Sequence, residues 1–244
     1  MVFLHGAGMD HTVWRYQTRW LAHRGERVVA PDLAGHGGSD GEPRRSVPEW
    51  SEWLLEFLNS RVDGAVTLVG HSMGGLISLE TAARYPDAVE RLVLVGVGAR
   101  MVPHPALLAA AHDDLPKAAG LIAGWSMPPA HRGAHAEPGL WEQGATEALL
   151  QRSAPGVLAR DLECCADYDA TGAAGKVTCP TTILSGNRDR MAAAPAGSEL
   201  SELIPGAEHV KLDGLGHEPM LQDPGRFNRH LGEILWPDGK ASTG

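Results

Sequence analysis

The stretch that most constrains this chain is Val66-Thr67-Leu68-Val69-Gly70-His71-Ser72-Met73-Gly74-Gly75. A β-branched, apolar run reads as a buried strand, and Leu76 to Arg84 reads as a helix. Between them stands Gly-x-Ser-x-Gly, the pattern of a sharp strand-to-helix turn that holds a serine hydroxyl out at a strand tip. Such a turn forces the serine into a sparsely populated backbone conformation, costing roughly 1–3 kcal/mol. Strand and helix run close together there, so Gly70 and Gly74 must be small. Ser72 is therefore the candidate nucleophile, and the rest of the chain is searched for its base.

Buried-strand runs recur at Met1–Leu4, Arg27–Ala30, Arg91–Gly96, Thr181–Gly186 and His209–Leu212. Helical spacing appears at Thr12–Ala22, Val47–Leu58, Gly197–Leu203 and Pro224–Leu235. Alternation of this kind predicts an α/β fold with a mostly parallel, doubly wound sheet. From about residue 101 to 175 the strand runs stop, and four helices are expected: Leu107–Ala111, Lys117–Ala123, Trp141–Arg152 and Val157–Tyr168. The expected organisation is a core of residues 1–100 and 176–237, a helical insertion over residues 101–175, and a disordered tail over 238–244.

In parallel sheets the chemistry sits at the carboxyl ends of the strands. Ser72 follows one strand, Asp189 another, and His217 the last, in the order serine, acid, histidine. A serine hydroxyl is a poor nucleophile until a neighbouring base takes its proton, which His217 does and Asp189 orients. Asp213 is the rival acid, but it ends the strand that precedes His217 itself. The oxyanion donors expected are the backbone N–H groups of Met73, at the start of the helix, and Ala7, in the loop after the first strand. His5, His36 and His71 read as turn-shaping residues. Trp125, Met127 and Trp141 are candidates for an apolar substrate pocket.

These residues resemble the α/β-hydrolase superfamily, especially its esterase, lactonase and peroxidase-like members. The resemblance rests on His5-Gly6-Ala7-Gly8, Asp32-Leu33-Ala34-Gly35-His36-Gly37-Gly38-Ser39-Asp40, Gly70-His71-Ser72-Met73-Gly74-Gly75, Gly186-Asn187-Arg188-Asp189 and Gly216-His217, and it covers nearly the whole chain. It implies a serine esterase or lactonase working through an acyl-enzyme on a small-molecule substrate, with no cofactor or metal. It also implies that the insertion is a cap and that Ala7 is an oxyanion donor. Members usually carry two strands before the His-Gly loop, and Met1 here stands almost at that loop. The expectation is a sheet lacking those two strands, with Arg27–Ala30 at its edge, and a chain that has lost an N-terminal segment. The rival readings are a non-catalytic small-molecule receptor or interaction module, an acyltransferase, and a cofactor-free peroxidase of the same fold.

The remaining function classes lack support in the sequence. A formal net charge of −9, with no basic run longer than Arg44-Arg45, argues against a nucleic-acid partner. No apolar run approaches the ~20 residues of a membrane span, and no signal-peptide pattern is present, so the expected location is cytoplasmic. Three cysteines make no disulfide framework. His131 and His135 have ligand-like spacing but no third partner, so no metal site is expected.

Overall fold

The computed structural model describes residues 1–129, 141–192 and 194–239. His131, His135 and the tail from residue 240 lie outside the described residues. Five strands form one sheet: β1 (Val2–Leu4), β2 (Val66–His71), β3 (Val89–Val95), β4 (Thr181–Gly186) and β5 (Glu208–Leu212). They are hydrogen-bonded in that order and every pairing is parallel.

Flanking them are α1 (Arg15–Ala22), α2 (Val47–Arg61), α3 (Met73–Arg84), α9 (Ala194–Leu203), α10 (Pro219–Gln222) and α11 (Pro224–Leu235). Between β3 and β4 lie α4 (Pro105–Asp113), α5 (Leu115–Ser126), α6 (Glu142–Gln151), α7 (Val157–Asp167) and α8 (Thr171–Ala174). The four helices expected in the insertion are present, and α8 is an addition. No helix among the described residues is long and apolar enough to cross a membrane.

The expected strand Arg27–Ala30 is reduced to a single parallel bridge, Val29 to Val2. Its hydrogen bonds are Phe3 N–H to Val29 C=O at 2.9 Å and Val29 N–H to Met1 C=O at 3.0 Å. The segment has a neighbour on one side only, and Pro31 cannot donate to a ladder. Val29 is accordingly 37% exposed, an apolar residue on the outer edge of the sheet.

That one bridge still decides the winding. The chain leaves β1 outward to Val29, then crosses back over β1 to reach β2. Crossovers between parallel strands are right-handed, so α1 and α2 fall on opposite faces. Side chains alternate to match. Val2, Leu4, Leu68, Leu92, Leu94 and Ile183 pack with Trp50 and Leu54 of α2 and Leu76 and Leu79 of α3. Phe3, Val69, Val93, Val95 and Leu184 pack with Leu21 of α1 and with Phe227 and Leu231 of α11. The same second cluster contains Leu107, Ile122, Leu158 and Leu162 of the insertion. The reversal at β1 makes the crevice beyond the ends of β1 and β2 the natural binding place.

Candidate active site

Ser72 connects β2 to α3 with φ 51° and ψ −120°. It is the one non-glycine residue of positive φ among the described residues. The turn is imposed by close packing. A Cβ on Gly74 would stand 2.6 Å from the Leu4 carbonyl oxygen, so only glycine lets α3 pass over the end of β1. Ser72 N–H donates to Val95 C=O at 2.9 Å, tying the turn to β3. Met73 is the first residue of α3, so its N–H has no acceptor within the helix.

His217 follows β5, and its Nδ1 lies 2.8 Å from Asp189 Oδ2. Asp189 is held in turn: its Oδ1 accepts from Met191 N–H at 2.7 Å and Ala192 N–H at 2.9 Å. Both side chains are buried. Asp213 instead accepts from Asn187 Nδ2 at 3.0 Å, away from the histidine. Burial disfavours the charged form of His217, but the Asp189 charge and hydrogen bond outweigh it, with Glu218 adding to them. The net effect raises its pKa above 6.5.

The main chain of His217 is gripped from both sides. Its N–H donates to Ser126 C=O at 2.9 Å, and its C=O accepts from His71 Nε2 at 2.9 Å. His71 must therefore carry its proton on Nε2. Burial, followed by repulsion from His217, holds His71 well below the usual histidine range, so it is neutral. Gln222 braces the same loop, accepting from Gly216 N–H at 2.6 Å and donating to Ser126 C=O at 3.0 Å. His5 ties the first loop to the next: Leu33 N–H donates to its Nε2 at 3.0 Å, and its Nδ1 meets Gly6 C=O at 2.9 Å. Burial above all lowers its pKa to about 4.

Ser72 and His217 line one cavity of about 50 Å³ together with Gly6 and Ala7. Its other walls are mostly apolar, among them Met101, Val102, Pro103, Ile122, Leu162 and Met191, with His71 and Cys165 also lining it. Trp125, Met127 and Trp141 do not line it. Trp125 packs edge-on against His104, Met127 is fully buried beside Gln222, and Trp141 is 59% exposed. The wall residues had a signal in the sequence. Met101-Val102-Pro103 follow the end of β3, and Met191 lies just beyond Asp189, so both belong to strand-end loops. Cys164 and Cys165 are buried, and burial pushes both thiols up in pKa.

A second group of polar residues lies outside this cavity. Ligand atoms of Asp10, His11 and Asp32 fall within 4.8 Å of one another. Their carboxylates are engaged as turn fasteners: Asp32 accepts from His11 and Gly38 N–H groups, and Asp10 from Thr12 and Arg152.

Comparison with known proteins follows the same outline. A family model described as the alpha/beta hydrolase family matches residues 1–230. The chain is similar to a pimeloyl-(acyl-carrier protein) methyl ester esterase of Aromatoleum aromaticum, 32% identical and covering 92% of this chain and 93% of that one. Among solved structures it is similar to a hydrolase from Pseudomonas aeruginosa PA01, with 26% identity, TM-score 0.84, and coverage of 96% and 89%. The enol-lactonase from Burkholderia xenovorans LB400 shares the fold, with 22% identity, TM-score 0.86, and coverage of 96% and 90%. With its family model matched over residues 1–230 and its parallel sheet carrying Ser72 on the turn into α3, this chain belongs to the alpha/beta hydrolase family.

Proposed function

We propose that the protein is a serine hydrolase that cleaves carboxylic esters or lactones through an acyl-enzyme. The observation that carries the reading is the 2.8 Å Asp189–His217 pair opening on the cavity that also holds Ser72. Ser72 Oγ attacks the carbonyl carbon and His217 takes its proton. The oxyanion is held by the N–H groups of Ala7 and Met73, each such donor being worth about 3 kcal/mol in related chemistry. His217 returns the proton to the leaving oxygen. A water activated by the same imidazole then releases the acid and frees Ser72. Asp189 keeps the ring in one tautomer and steadies its cation.

Ester hydrolysis is also the activity named for the pimeloyl-(acyl-carrier protein) methyl ester esterases to which this chain is similar. The insertion over residues 101–175 acts as the cap, supplying Ile122 and Leu162 to the wall. No lysine or arginine is among the described lining residues, so the acyl group accepted is neutral and apolar.

Steady-state kinetics with p-nitrophenyl butyrate and p-nitrophenyl hemisuccinate test this. The neutral ester should be favoured about ten-fold or more in kcat/KM, an apolar wall offering nothing to a buried carboxylate. Ser72→Ala should lose on the order of 10⁶-fold in kcat, as in another triad enzyme. A Ser72→Ala variant that hydrolyses butyrate at the wild-type rate sinks the mechanism.

A further inference from the structure

Asp161 is a buried carboxylate that the chemistry above leaves without a role. It lies on α7 and is fully buried, a costly place for a charge unless it is paired. Its Oδ2 accepts from two donors, Gly8 N–H at 2.8 Å and His36 Nε2 at 2.7 Å. The other nitrogen of His36, Nδ1, lies 3.1 Å from the Ala34 carbonyl oxygen. Both ring nitrogens thus face oxygen acceptors, which only the imidazolium form satisfies. Neither side chain of the pair is exposed. Burial opposes the charge on His36, and the hydrogen bond and charge of Asp161 overcome it, so its pKa is raised.

The surroundings add no competing charge. His5, with ring centroid 5.1 Å from that of His36, has a pKa of about 4 and is neutral. Cys164 and Cys165 beside Asp161 are neutral thiols. Asp32, on the same loop as His36, is turned toward His11 and Gly38.

Gly8 is half of the turn that presents Ala7. Gly6 C=O accepts from Met9 N–H at 3.2 Å, so Ala7 and Gly8 are its central residues. Gly8 has φ 65° and Ala7 does not have positive φ, which makes the turn type II. Types I and II differ by a flip of the central peptide, and the Gly8 N–H belongs to that peptide. A hydrogen bond from it to a fixed carboxylate selects one flip. The same face of α7 closes around the turn. A Cβ on Gly8 would come within 2.8 Å of Leu158 Cδ1, and Leu162 stands with Ala7 in the cavity wall. Leu158, Asp161 and Leu162 follow the spacing of one helix face.

We infer that Asp161, paired with His36, is a positioning residue that clamps the Ala7–Gly8 turn, so that α7 helps to build the oxyanion hole as well as covering it. This rests on the serine-hydrolase reading above. The step it assists is formation of the tetrahedral intermediate. Its loss therefore appears in kcat and in the binding of tetrahedral analogues, not in KM.

The test is kinetics with p-nitrophenyl butyrate and inhibition by phenylboronic acid, whose adduct with the serine places an oxygen in the oxyanion hole. Rates are normalised to folded protein by circular dichroism. Asp161→Leu should lose about ten-fold or more in kcat with KM within about two-fold, and the boronate should weaken by the same factor as kcat/KM. Asp161→Asn, whose amide oxygen still accepts from Gly8, should keep about a third of kcat or more. If Asp161→Leu does not fold, Asp161→Leu with His36→Phe removes both polar groups together and carries the same expectation. A normalised kcat within about two-fold of wild type in the leucine variant overturns the proposal, as does a loss confined to KM. Ser72→Ala separates the two readings. If it is active, the serine mechanism fails; if it is inactive while Asp161→Leu is fully active, only the clamp fails.

Discussion

Four histidines buried among the described residues do different work because each meets different partners. His5 and His71 meet one backbone donor or acceptor arrangement that suits the neutral ring. His36 meets two acceptors and is held as a cation. His217 meets the Asp189 carboxylate through Nδ1 and lines the cavity together with Ser72. In the proposed mechanism its raised pKa sets the acid limb of activity. The base must be neutral, so kcat/KM for p-nitrophenyl butyrate should rise with pH through a value above about 6.5. Asp189→Asn should move that limb downward and lower kcat by about 10⁴-fold, as removal of the acid does elsewhere. The backbone of Ser72 gives a second prediction. Its φ of 51° is strained for serine and free for glycine, so Ser72→Gly should unfold at a higher temperature than Ser72→Ala, by about 1 kcal/mol in stability. Calorimetry of the two variants measures it. Ser72, Asp189 and His217 were legible in sequence because each lies one short loop beyond an apolar strand. Asp161 was not, since a lone Asp in an amphipathic helix reads as part of its solvated face.

At the scale of elements, the loop carrying His217 is fastened to α5 and α10, not to the sheet alone. Gln222 of α10 satisfies Gly216 N–H and Ser126 C=O together. Gln222→Ala leaves the buried Gly216 N–H without a partner, at about 1–3 kcal/mol, while Ser126 C=O keeps the His217 N–H. Urea unfolding should show a loss in that range, and kcat should fall as the histidine loses its fixed position. Helix phase explains the pocket residues that sequence reading misplaced. Trp125 is a candidate for an apolar pocket by sequence, yet on α5 it is Ile122 that faces the cavity while Trp125 turns to His104. Which side of an apolar helix faces a site depends on the helix's neighbours, and periodicity does not name them. The segment Arg27–Ala30 shows the complementary case. It has strand composition, but with one neighbour and a following proline it makes a single bridge.

Across the whole molecule, that single bridge at Val29 reverses the strand order and brings Ala7 and Ser72 to the same crevice. The alternation of strands and helices made this fold readable, whereas the contribution of the insertion to the cavity depends on long-range packing. The buried histidines also give the fold a pH optimum. His36 and His217 have raised pKa values, so the stability they add is complete below about 6.5 and is lost as pH rises through their folded values. His5 and His71 are lowered, so the stability tied to their neutral forms is lost as pH falls below about 6.5. For His5, with a folded pKa of about 4, the loss at pH ~5 is about 2 kcal/mol. The unfolding midpoint in urea should therefore peak near neutrality, and His71→Phe should flatten its acid side. The central claim, that Ser72 is a nucleophile activated by the Asp189–His217 pair, is tested most directly by peptide mass spectrometry after exposure to a fluorophosphonate. The account predicts one phosphonyl adduct, on Ser72, formed by the wild type and lost in His217→Ala. An unmodified Ser72, or an adduct formed equally fast without His217, would contradict it.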